Sequence, residues 1–269
     1  MANTENESIK HSPVVRDEVT PMPGVNTLTF ADVMACFKHG LSDFRKAPSF
    51  GLFIGGIFTI GGLIIIQALF VWKQSWMIYP VMIGFPLIAP FAAVALYDVS
   101  RRLDKNLPLN WNQILSAIWV QSGLELRWMA FVILFISWIS MYQVRLLLAL
   151  FLGNTSFSNW QDLFEIITTT PQGWLFIIVG HIVGGFLTMV LFSVSVISLP
   201  LLLERDVDFI TAMITSVKTV FQSPFVMISF GIFVLLAILV AFIPAFLGLL
   251  LVLPVLGHTT WHIYKRAVV

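Results

Sequence analysis

The run FVMISFGIFVLLAILVAFI at 225–243 holds no charged residue. After only Pro244 and Ala245 comes FLGLLLVLPVLGHTTWHIY at 246–264. A membrane crossing takes about 20 mostly apolar residues, so the pair predicts two crossings joined by a tight hairpin. Working outward, the same criterion selects Phe50–Trp72, Met77–Tyr97, Trp128–Leu152 and Trp174–Leu203. The fourth is longer than needed, so it tilts or leaves the bilayer near Pro200. The expected fold is all-α, a polytopic membrane protein with six transmembrane helices. Composition agrees, with 58% hydrophobic and 11% charged residues among 269. Soluble domains have about 45–50% apolar and about 25% charged residues, which argues against a soluble enzyme. A net charge of +1 gives no reason to expect a nucleic-acid partner. The single cysteine, Cys36, can form neither an internal disulfide nor a cysteine-rich metal site.

Residues 1–27 are polar and contain Pro13, Pro21 and Pro23, which predicts a disordered cytoplasmic tail. No apolar run follows Met1, so no cleavable signal peptide is expected. Residues 28–269 form one membrane domain. Of the 15 Lys and Arg residues, all but Lys73 and Arg145 fall on one side of the expected crossings. Basic residues collect on the cytoplasmic side, so both termini are expected there. The external segment Gly153–Gly173 carries Asp162 and Glu165, with Trp160, Leu163, Phe164 and Ile167 at helical spacing. That pattern predicts a short helix on the outer interface.

An internal repeat is also legible. Val33, Met34, Phe37, Leu41 and Phe44 form an apolar stripe, matched 176 residues later by Phe209, Ile210, Met213, Val217 and Val220. The same displacement pairs Asp32 with Asp208, Pro48 with Pro224 and Gly55 with Gly231. At a displacement of 164, Gly84, Pro90, Tyr97, Arg101 and Arg102 meet Gly248, Pro254, Trp261, Lys265 and Arg266. Each unit (about 30–103 and 206–267) is a cytoplasmic amphipathic helix, a proline stop and two crossings. Both enter from the same side, so the repeats are parallel. Trp111, Ile114, Leu115, Ile118 and Trp119 start a possible diverged unit at 110–203.

Few residues invite chemistry. His258 and His262 are four apart, on one face of the sixth span, and are candidate cofactor ligands together with His181. His181 is expected at a depth about 12 Å or more from His262, which disfavours a shared ligand. The alternative is hydrogen bonding to neighbouring helices. Arg145 sits about 27 Å of helix rise beyond Arg127, near the external interface. There it can snorkel and pair with Asp162 or Glu165. Asp98 lies one helical turn from Arg101 and Arg102, the spacing of a local ion pair. Asp206 or Asp208 is placed to cap the following helix. Gly51 with Gly55, and Gly180 with Gly184, are spaced for close helix packing. Gln67, Gln143, Ser193, Ser195 and Thr259 are candidates for a polar path. The sequence contains no nucleophile elbow, phosphate loop or zincin motif. No catalytic residue, metal site or cofactor is assigned.

Three segments, GFPLIAPFAAVALYDVSRRL at 84–103, SLPLLLERDVDFITAMITSVKTV at 198–220 and LPVLGHTTWHIYKRAV at 253–268, resemble a bacterial family of integral membrane proteins. That family is a domain of unknown function, found mainly in proteobacteria. The stretch PLLLERDVDFITAMITSVKTVFQSP at 200–224 is similar, more faintly, to the membrane domain of glycerophosphodiester phosphodiesterases. These resemblances imply an inner-membrane location and bring no catalytic residues. Some members carry an oxidase-like label, which suggests a respiratory partner. The first functional reading is a non-enzymatic scaffold or accessory subunit of a bacterial inner-membrane complex. Its partners would be lipids and another integral membrane protein. The alternatives are a transporter or lipid-handling protein and, third, a haem or metal protein using His258 and His262.

Overall fold

A computed structural model describes residues 22–74, 78–117, 123–153 and 160–269. Among them the chain forms eleven α-helices and no strand. They are α1 (Phe30–Lys46), α2 (Pro48–Ile66), α3 (Ile78–Asp104), α4 (Trp111–Ser116), α5 (Gly123–Leu152), α6 (Trp160–Thr169), α7 (Pro171–Ser195), α8 (Ser198–Glu204), α9 (Phe209–Gln222), α10 (Pro224–Phe242) and α11 (Leu249–Ala267). Four stretches are long and apolar enough to cross a membrane: Pro48–Val71, Gly123–Leu152, Pro171–Glu204 and Pro224–Phe242. The first includes a π-helical stretch, Gln67–Val71. The expected second and sixth crossings are helices too, α3 and α11, but they fall outside that group.

Local chemistry sets the helix ends. Thr29 caps α1 through a reciprocal capping box with Asp32. Asp208 caps α9 by accepting from the Thr211 hydroxyl and amide, and these bonds, the hydroxyl's first, hold its carboxyl below the usual range. The helices α1 and α9 end alike. Ala47 has φ −133°, ψ 55° and Ser223 has φ −135°, ψ 60°. Each is followed by a proline at the first position of the next helix, where its missing N–H is no loss. The expected long fourth crossing breaks at Val196–Ile197, where Ser216 accepts the Ile197 amide. The buried turn α8 follows, with Pro200 in its first half. Between α10 and α11 the chain reverses through Ala245 and Phe246, both at positive φ.

The chain's two ends lie together. Val25 bridges Val268, the Asn26 amide donates to the Ala267 carbonyl, and the Val269 amide donates to the Gly24 carbonyl. Residues 22–27 of the expected tail are therefore ordered, because the C-terminal strand-like residues supply their backbone partners. Residues 1–21 of that tail lie outside the described residues.

The central helix is α11. Its buried residues include Trp261, Ile263 and Tyr264, all under 2% exposed. Its close approaches are made over glycines. A Cβ on Gly55 would sit 2.8 Å from the Leu249 carbonyl oxygen and 2.9 Å from Leu250 Cα. One on Gly51 would meet Pro254 Cβ at 2.8 Å, and one on Gly40 would meet the Thr259 amide at 2.7 Å. Small residues let helix backbones close without a hydrophobic drive.

The apolar stripes of α1 and α9 are divided between the bundle and the outside. Val33, Phe209 and Met213 pack against the core and Val220 is buried within it, while Met34 and Ile210 are exposed. Helix α1 buries Cys36, Gly40 and Asp43, while Phe30 and Met34 are exposed. Helix α9 buries Ala212, Thr215, Ser216, Thr219 and Val220, while Ile210, Ile214 and Phe221 are exposed. In each helix small and polar residues make the closest approach to the bundle, flanked by part of the apolar stripe, and the remaining large apolar side chains face outward.

Candidate functional site

Two places concentrate polar chemistry. The first lies where α1 crosses α3 and α11. Asp43 Oδ2 accepts from His262 Nε2 at 2.7 Å and from Ser100 Oγ at 2.9 Å. A hydroxyl has one hydrogen to give, so the 2.8 Å contact between Ser100 Oγ and His258 Nδ1 is donated by the histidine. His39 stacks at a tilt on His262, ring centroids 5.3 Å apart. Asp43, Ser100 and His258 are all buried. Burial alone would raise the Asp43 pKa, but the bonds from His262 and Ser100 outweigh it and hold the carboxyl below its ordinary range. Thus His258 and His262 do share a face, and they use it to bind α1 and α3.

Around this cluster the polar contacts continue. Asp98 takes Arg101 at 2.5 Å and Arg102 at 2.7 Å, as their spacing requires. Arg101 also donates to the Leu203 carbonyl, and Trp261 Nε1 donates to Asp104 at 2.8 Å. Lys105 and Lys265 both reach Glu204, and Arg266 reaches Asp32. The network ties α1, α3, α8 and α11 together at this end of the bundle, with the buried His258 Nε2 left without a partner in it. Its architecture is that of a lock.

The second place is a groove between α5, α7 and α10, about 900 Å³ in volume. Its walls are apolar, with Leu147, Phe176, Phe192 and Ile238 among them, and its polar lining side chains are Gln143, His181 and Thr188. Val144, Ile232 and Leu235 line it and are also exposed at the surface. The groove therefore opens sideways, between helices that the sequence places in the membrane. Gly180, Gly184, Gly185 and Gly231 hollow out the walls. Gly180 and Gly184 face α5 at ordinary contact, 3.8 Å from Leu147 Cδ1 and from Gln143 Oε1. Their spacing makes room more than it makes a tight seam, unlike Gly51 and Gly55.

The remaining candidates are quickly placed. His181 is on the groove, far from the α1 cluster, and His258 and His262 are already engaged with Ser100 and Asp43. Ser195 and Thr259 bond back to their own helices, so they open no polar path. Arg145 is exposed on α5, and among the described residues it forms no salt bridge. The Gly153–Gly173 segment does contain a helix, α6, whose Ile166 and Ile167 backbone presses on Gly173. Ile118 and Trp119 of the third expected stripe lie outside the described residues, whereas Trp111 and Ile114 are on α4. Asp43 and Ser100 were not signalled by sequence, since neither stands in a motif.

Apolar helices bearing a polar cap at one end point to one class of protein. Residues 78–204 match the family model described as predicted integral membrane protein (DUF2189). The match runs from α3 through α8 and includes two of the groove's three walls. This is an integral membrane protein. The fainter likeness to phosphodiesterase membrane domains finds no support in the comparisons. No curated protein and no solved structure matches the chain.

Proposed function

We propose that the chain is a non-enzymatic, multi-pass protein of the bacterial inner membrane that handles lipid in the groove between α5, α7 and α10. The groove is the observation that carries this reading. Its volume of about 900 Å³ is that of a small-molecule pocket, and its walls suit an acyl chain. The reading predicts that lipid stays with the protein through purification. Gly185 offers a test, since a Cβ there meets nothing within 4 Å and a larger side chain would enter the groove. Native mass spectrometry of the full chain from mild detergent should show a bound lipid, and Gly185→Trp should remove it without loss of folded protein. Equal lipid retention by both proteins would contradict the reading.

The second reading is a scaffold or accessory subunit with a respiratory complex as its partner. Behind it stands the outer face of α7, where Trp174, Ile178, Ile182 and Phe186 are exposed. Bilayer tails are as apolar as leucine and satisfy such a face alone, so it says less than a shaped groove does.

The same proposal sets six crossings with both termini cytoplasmic. Helix α2 leaves the end where the termini pair. So does α5, whose Glu125 accepts the Phe209 amide, and so does α10. Of the four apolar stretches only that of α7 returns, ending where Arg205 donates to the Val269 carbonyl. Helices α3 and α11 then supply the other two returns. Their lower apolarity traces to Asp98, Arg101 and Arg102, and to Lys265 and Arg266. The matching junctions at Ala47–Pro48 and Ser223–Pro224 support the parallel repeat. Single cysteines at Ser8 and Val269 should label with maleimide only after the membrane is opened. Cys36 gives little background, being buried with its thiol pKa pushed up by that burial. Labelling of either end in intact cells would contradict the topology.

A further inference from the structure

The groove's polar atoms specify more than an apolar ligand. His181 Nδ1 lies 2.7 Å from the Ile177 carbonyl oxygen. A carbonyl only accepts, so Nδ1 carries the proton, and in the neutral ring Nε2 is left as an acceptor. Gln143 behaves in parallel. Its Nε2 donates to the Gly180 carbonyl at 3.5 Å, so its free-facing atom is Oε1, beside Gly184. His181 is ten residues, about 15 Å, from the Pro171 end of α7, and Gln143 lies at its level on α5. From His181 the groove continues toward Phe192, about 16 Å along α7 at 1.5 Å per residue. That is about one leaflet of a ~30 Å hydrocarbon core. Only Thr188 interrupts this stretch of α7 with a polar side chain.

We propose that the groove binds a neutral lipid carrying a free hydroxyl, of the diacylglycerol kind. Its O–H donates to His181 Nε2 or Gln143 Oε1, and its chains run toward Phe192. Ester carbonyls, and the oxygens of a fully ionised phosphate, only accept and would face acceptors. An ammonium or phosphate carried to this depth would also bring a charge into an apolar site. The inference rests on the lipid-handling reading and narrows it to one headgroup chemistry.

The test uses the full chain reconstituted in phosphatidylcholine nanodiscs. Two probes carry the same diazirine-bearing chains, one a diacylglycerol and the other a phosphatidic acid. Labelled peptides from α7 and α10 are read by mass spectrometry, with labelling at the exposed Leu236 as the lipid-facing background. The diacylglycerol probe should label the groove at least about tenfold over phosphatidic acid. His181→Phe should lower that labelling about three- to tenfold, the worth of one hydrogen bond. Gln143→Leu should act in the same direction, and size-exclusion profiles check that both variants are folded. Equal labelling by the two probes, indifferent to His181→Phe, would overturn the hydroxyl inference while leaving lipid handling standing. Preference for phosphatidic acid would overturn it too, by showing His181 acting as a cation. Groove labelling no higher than at Leu236 with either probe would overturn both.

Discussion

Replacing Gly55 with leucine is expected to cost at least about 3 kcal/mol and to leave little folded protein in detergent. The reason is the identity of the atoms in the way. A Cβ at Gly55 meets the Leu249 carbonyl oxygen at 2.8 Å and Leu250 Cα at 2.9 Å, and neither is a side chain that can swing aside. To make room, α2 must move from α11, which also packs on α1, α3 and α10. Since whole domains are stable by only about 5–15 kcal/mol, one such clash is a large fraction. Gly185→Leu is the control, because its added atoms enter open groove. Thermal scans followed by size-exclusion should place Gly185→Leu near the parent and Gly55→Leu far below it. Similar midpoints for the two would refute the packing account.

Asp43→Leu should be nearly as damaging, at about 3–5 kcal/mol, the usual cost of removing one partner from a buried charged contact. The leucine leaves the His262 Nε2–H and the Ser100 hydroxyl facing an apolar surface, in a region where Asp43 itself is only 4% exposed. The carboxyl also gives the protein an acid-side sensitivity of known sign. Its pKa is lower in the folded chain than its ordinary value of 3.8, because the bonds from His262 and Ser100 outweigh burial. A depressed carboxyl contributes stability above the unfolded pKa and loses it as pH falls through the folded one. The contribution is therefore full above about pH 5, starts to fall near 3.8 and is gone only below the lower folded-state value. Asp43→Asn should flatten part of the stability loss measured between pH 5 and 3, taken as approximate bounds of that window. A profile parallel to that of the parent would mean that Asp43 is not held as a carboxylate by this network.

The apolar crossings could be read from composition because length and hydropathy alone define them. Helix junctions were legible for the same kind of reason, since Pro48 and Pro224 act locally. The inward faces of α1 and α9 were not. Periodicity marks Val33, Met34, Phe37, Leu41 and Phe44 as one stripe, but the structure divides it, with Val33 against the core and Met34 exposed. Beside a membrane, Met34 gains nothing by turning inward, whereas Cys36, Gly40 and Asp43 allow a close crossing and buried hydrogen bonds. The polar cluster shows a second limit. His258 and His262 stand out as a pair on one helix, but their partners are distant in sequence. Ser100 is 158 positions from His258, and Asp43 is 219 from His262. Likewise Gln143, His181, Gly180 and Gly184 each attract notice singly. Only the packing of α5 against α7, with α10 standing off, makes them walls of one groove.

The most direct test of the central claim is the density map of the full chain in nanodiscs of native lipid, solved by electron cryo-microscopy. The account predicts elongated density in the groove between α5, α7 and α10, with its polar end beside His181 and Gln143 and its tail toward Phe192. A groove closed by inward movement of α10, or bordered only by the same annular lipid as the rest of the belt, would contradict it.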